Sequence, residues 1–163
     1  MKGHAAVAAL AALAFAGCAV PPDRDDGDAQ PPRAERCHRT SERDIAALFD
    51  RWNESLQTGD PEKVADNYAE GSILLPTVSD RPRVTRAGRV EYFEHFLEDQ
   101  PFGRIDFRRI YIGCNAAVDA GLYTFTFDRT GQIVPARYSF SYKWDGKRWL
   151  ITSHHSSAMP GKP

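Results

Sequence analysis

The residues of this chain best suited to chemistry lie near its C-terminal end. After Asp145-Gly146, the side chains of Trp149, Ile151, Ser153, His155 and Ser157 recur at every second position. Alternate residues share one face of a strand, so this face passes from apolar bulk to imidazole and hydroxyl. Such a face suits a pocket with a dry end and a polar mouth, where His155 would act as a hydrogen-bonding or acid–base group. The competing reading is a structural histidine bonded to a neighbouring element. His154 would then face the other way, as a surface or interface residue. Arg137 stands beside Ser139 and Ser141 on the small-residue face of the preceding strand. A guanidinium there would select carboxylates through paired bonds, unless an acid such as Asp119 neutralises it.

Aromatic surface comes from Trp52, Tyr68 and Tyr123, with Tyr138 and Tyr142 behind them. Core packing is the competing role for all five. The expected ligand-binding set is therefore Trp52, Tyr68, Tyr123, Arg137 and His155. An acid–base pair could be drawn from Asp106, Asp119, His155 and Tyr138, but no spacing selects one pair over another. Arg81, Arg83, Arg86 and Arg89 cluster around a turn and a helix start. They read as a solvated, ion-paired face whose first three members could rim a cavity. No glycine-rich phosphate loop, serine elbow or nicotinamide motif is present, so no cofactor is expected.

The elements that must position these groups follow from periodicity. Ser41-Glu42-Arg43-Asp44 forms a capping box ahead of a helix whose stripe is Ile45, Leu48, Phe49, Trp52 and Leu56. Gly59 stops that helix, and Asp60-Pro61 starts a second one, expected to carry Val64, Ala65, Tyr68 and Ala69. A short strand from Ile73 to Val78 turns back through Arg83-Val84-Thr85, and a third helix spans about 87–98. From Arg104 the period becomes two, with a change of phase that places a β-bulge at Arg108-Arg109. Strands follow over 117–127, 134–144 and 149–157. The order ααββαββββ, helices early and long antiparallel strands late, is the α+β pattern.

The N-terminus speaks of compartment. Lys2 precedes an apolar run from Ala5 to Gly17, of signal-peptide length and too short to span a bilayer. It ends at Cys18, so residues 1–18 resemble a bacterial lipoprotein signal with Cys18 as the lipidated residue. Ordinary secretion is the alternative. Residues 19–37 are rich in proline and charge and read as a tether, leaving 38–160 as one domain. Cys37 and Cys114 favour pairing in an oxidising compartment, closing a loop of about 77 residues and contributing roughly 4 kcal/mol. Neither has a neighbour at metal-ligand spacing, so no metal is expected. The formal net charge of −1 over 163 residues argues against nucleic acid as a partner.

The element order, Leu56-Gln57-Thr58-Gly59-Asp60 and the ending Asp145-Gly146-Lys147, Trp149, Ile151, His155, Ser157 and Pro160 together resemble the nuclear transport factor 2-like superfamily. Within it the chain is similar to the association domain of calcium/calmodulin-dependent protein kinase II and its stand-alone bacterial relatives, over residues 41–160. It departs from the kinase's association domain at Ser156, where that family carries an arginine after the strand histidine. The resemblance implies a cone of curved sheet wrapped on the first helix, self-association as a homodimer or larger, and no kinase activity. The expected function is an exported domain of the cell envelope, periplasmic or on the outer membrane and held there by its lipid. It would bind a small polar or anionic ligand rather than turn it over. The alternative is a SnoaL-like cyclase, isomerase or dehydratase. The outer face of the sheet, with Tyr138–Trp144, is the expected contact between copies.

Overall fold

The computed structural model describes residues 36–77 and 79–161. The proposed signal segment, Cys18 and most of the tether lie outside the described residues. The first helix, α1 (Glu42–Gln57), starts at the capping box: Ser41 Oγ accepts from the Asp44 N–H, and the Asp44 carboxylate accepts from the Ser41 N–H. Its stripe of Ile45, Leu48, Phe49, Trp52 and Leu56 is buried throughout. Gly59, at φ 67°, makes the turn that L side chains resist. Asp60 then caps α2 (Pro61–Ala65) through the Glu62 and Lys63 N–H groups.

The remaining elements are β1 (Tyr68–Leu75), α3 (Arg86–Leu97), β2 (Pro101–Ile112), β3 (Ala116–Phe127), β4 (Gln132–Trp144) and β5 (Trp149–Ala158). The sheet runs in the order β1-β5-β4-β3-β2. β1 pairs with β5 in parallel, and the other pairs are antiparallel. This is the α+β architecture expected, a curved mixed sheet with α1 on its concave side.

Four details differ from the sequence reading. Tyr68 opens β1 instead of riding on the second helix, which stops at Ala65. Arg83–Thr85 is not a strand: Arg83 makes a single antiparallel bridge to Leu74. The bulge of β2 sits at Asp106, between Ile105 paired with Tyr123 and Phe107 paired with Leu122. Finally, Tyr138, Phe140 and Tyr142 do not face outward; they are buried under α1. The outward face of β4 carries Arg137, Ser139, Ser141 and Lys143 instead.

At the start of the domain the sulfurs of Cys37 and Cys114 are 2.08 Å apart, at bonding distance. The His38 N–H donates to Asn115 Oδ1 at 2.7 Å, and Asn115 Nδ2 donates to the Arg36 carbonyl. The His38 ring stacks on Trp144 at 3.6 Å. These contacts fasten the entering chain across the end of the sheet.

Candidate functional site

A second bulge decides which groups of β5 face inward. Ile151 pairs with Tyr142 and Ser153 with Ser141, so Thr152 is an extra residue and the side-chain parity flips there. Trp149 and Ile151 point into the core, and beyond Thr152 His154 and Ser156 take the inward positions. His154 is 4% exposed, whereas His155 is on the outer surface. The expected faces of the two histidines are therefore exchanged, although His154 is buried against Tyr68 and does not line the cavity. Alternation predicted the wrong face because one inserted residue cancels it.

The concave side encloses a cavity of about 470 Å³. Its wall is apolar and aromatic, from Trp52, Leu74, Phe93, Phe125 and Ala136. Polar groups break that wall at several points, and at one of them Ser156 Oγ meets both Thr77 Oγ1 and the Tyr123 hydroxyl, which donates to it. Thr77 comes from the loop after β1, Tyr123 from β3, and Ser156 from β5. Burial pushes the Tyr123 phenol well above its ordinary value, so these are three neutral hydroxyls. Arg83 and Tyr92 line the same cavity, and burial raises the Tyr92 hydroxyl to about 12.

Of the five expected pocket residues, Trp52 and Tyr123 line this cavity. Tyr68 lies behind Trp52: its hydroxyl accepts from Trp52 Nε1 at 3.2 Å and sits 2.8 Å from His154 Nδ1. Arg137 is exposed on the outer face and donates to the Ala158 carbonyl at 3.2 Å. His155 is outside as well. Alternation with buried Tyr138 turns Arg137 outward, and the extra residue at Thr152 turns His155 outward with its partner Ser139.

The candidate acids do not reach the cavity wall either. Asp106 accepts from Thr124 and pairs with Arg104 near the bulge. Asp119 is fully buried, accepts from the Tyr138 hydroxyl at 2.8 Å and lies 3.1 Å from Arg108 Nε. Burial raises its carboxyl against those two partners. Among the described residues, no three His, Cys, Asp or Glu side chains converge as metal ligands.

Sequence reasoning missed Thr77, Tyr92 and Ser156, and favoured a solvated face for Arg83 over the cavity rim it could also have offered. Nothing local marks Thr77. Ser156 stood in view as an unusual residue, but its face depended on the unseen bulge.

Residues 41–160 match the calcium/calmodulin dependent protein kinase II association domain family. The chain belongs to that family. This association domain is 48% identical to a protein from Xanthomonas campestris described by the same family name, over 76% of this chain and 91% of that one, with a TM-score of 0.72. It is also similar in fold to a nuclear transport factor 2-like protein from Novosphingobium aromaticivorans (12% identity, 74% and 82% coverage, TM-score 0.62). A third likeness, again of fold, is to a cyanobacterial iota-carbonic anhydrase solved with bicarbonate (22% identity, 80% and 98% coverage, TM-score 0.67). No curated protein matches the chain.

Proposed function

We propose that the cavity binds bicarbonate-sized oxyanions and interconverts carbon dioxide and bicarbonate. The observation that carries this reading is the Thr77–Ser156–Tyr123 hydroxyl cluster set into an apolar wall. Carbon dioxide is small and apolar and suits the aromatic wall. A water molecule suits the hydroxyls, which can each donate and accept. Attack of the water oxygen on the carbon gives bicarbonate and releases one proton to solvent buffer. The product's oxygens then find the same hydroxyl donors. The likeness to a carbonic anhydrase that holds bicarbonate supports the choice of ligand. The cyclase and isomerase alternative loses its support, because Asp106 and Asp119 are engaged away from the cavity.

Stopped-flow hydration of carbon dioxide by the wild type and Ser156→Ala is the test. Turnover above buffer is expected, falling about tenfold or more in the variant, the scale of a lost positioned group. Bicarbonate binding without turnover would leave a binding domain. Neither binding nor turnover would end the reading.

We further propose export, with lipidation at Cys18, an oxidised Cys37–Cys114 pair, and self-association through the outer sheet face. Phe107 pairs with Leu122 and Tyr111 with Val118 there, and Phe107, Tyr111 and Val118 are exposed. An apolar row of this kind on a sheet face marks an interface, and the family name supports association. Tyr111→Glu is expected to give a folded monomer by light scattering where the wild type gives a larger species. A wild type that is already monomeric at micromolar concentration sinks the assembly.

A further inference from the structure

We propose that Arg83 is the residue that makes the cavity select anions, and that Glu91 holds its guanidinium partly in reserve. This rests on the cavity being a ligand site. The backbone fixes Arg83 in place: its N–H and carbonyl both bond to Leu74, at 2.9 and 3.0 Å. Its side chain is 13% exposed and lines the cavity. Its Nε is buried and has no hydrogen-bond partner. Its charge is met by one long contact, 3.4 Å to Glu91, whose side chain is half exposed.

The nearby arginines do not line the cavity. Arg86 has Glu62 at 2.6 Å and Asp66 at 2.8 Å. Arg89, whose Nε likewise lacks a partner, donates to the carbonyls of Ser72 and Ala69. Among the described residues, the one carboxylate in the cavity lining, Asp99, is bonded to Arg129. Arg83 is thus a mostly desolvated cation with spare donors, facing a cavity that offers it no acid. A desolvated charge is costly unless a partner of good geometry meets it. A planar oxyanion that accepts two parallel N–H bonds is the partner a guanidinium fits best. A neutral ligand of the same shape gains nothing from it.

The test is titration of the full protein with acetate and with its neutral isostere acetamide, followed by backbone amide NMR shifts. Wild type is expected to bind acetate more tightly than acetamide, with saturable shifts at Thr77, Tyr123 and Ser156. Arg83→Gln should weaken acetate by roughly ten- to a hundredfold, the scale of a bond to a charged group, and leave acetamide unchanged. Glu91→Gln should tighten acetate by about two- to fivefold, as loss of an exposed competing pair allows. Acetate and acetamide bound alike by the wild type and both variants overturn the role of Arg83 while the cavity stands. If neither probe saturates the wild type, the cavity reading and this proposal fall together. Should Arg83→Gln fail to fold, Glu91→Gln decides alone, and unchanged or weaker acetate binding overturns the proposal.

Discussion

Acidification is expected to destabilise this domain through one buried imidazole. His154 stacks on Phe140 at 4.1 Å, meets the edge of Trp52 at 5.3 Å and is 4% exposed. Trp52 Nε1 donates to the Tyr68 hydroxyl, which leaves the phenol proton free to bond His154 Nδ1. The imidazole proton then belongs on Nε2, which is buried without a partner. Burial pulls the histidine down from 6.5 to about 3, with His155 as a minor contributor. Its folded pKa is thus depressed, so the unfolded chain binds a proton that the folded domain refuses. Stability is complete above pH 6.5 and is lost as pH falls toward 3. Linkage gives a slope near 1.4 kcal/mol per pH unit, or roughly 2–3 kcal/mol by pH 4.5. Asp119 works in the opposite sense near pH 4, since burial raises it, so the slope is cleanest between pH 6.5 and 5. Urea denaturation across that range should show the loss in wild type and its absence in His154→Gln, which keeps an acceptor for Tyr68. Equal pH dependence in both proteins would show that His154 is not the group responsible.

The same residue shows what the sequence could and could not disclose. The capping box at Ser41, the stripe from Ile45 to Leu56 and the alternation of Tyr138, Phe140 and Tyr142 are local patterns, and each forms the element it implied. Those patterns are set by neighbours a few residues apart. The face of β5 is a different matter. Two complementary sets, His154 with Ser156 and His155 with Ser157, are almost alike in residue type. Only the extra residue at Thr152 chooses between them, and that bulge is imposed by pairing with β4. The candidate site inherits the same problem. Thr77 and Ser156 are distant in sequence, and Arg83 enters the cavity through one bridge to Leu74 rather than through a strand. Trp52 and Tyr123 were legible because their places lie on elements without a phase change before them.

The bulge of β2 did leave a trace in the sequence, in a glycine of the partner strand, and this leads to the largest effect expected of a single methyl group. Gly121 pairs with Arg108, two positions beyond the extra residue Asp106, and the backbone of β2 lies close against it. A Cβ at Gly121 would lie 1.9 Å from the Phe107 carbonyl oxygen and 2.8 Å from its carbon. Those atoms are backbone, and β2 is tied there by its pairing with β3, so relief requires moving the ladder itself. A glycine inside a strand marks such a close approach of two backbones. Gly121→Ala is therefore expected to cost at least about 3 kcal/mol, the upper range of overpacking, through a lower urea midpoint. Gly113→Ala is the control: its Cβ would meet only the Ala116 carbonyl oxygen, at 3.7 Å. That change is expected to stay within about 1 kcal/mol of wild type, helped by the reduced freedom of the unfolded chain. The bulge also sets which residues of β2 face outward, so the damage should reach the proposed interface. A folded Gly121→Ala should self-associate more weakly than wild type, because Phe107 and Tyr111 leave their register with Leu122 and Val118. Equal stability of the two alanine variants would mean that the strands do not approach as closely as the bulge at Asp106 requires.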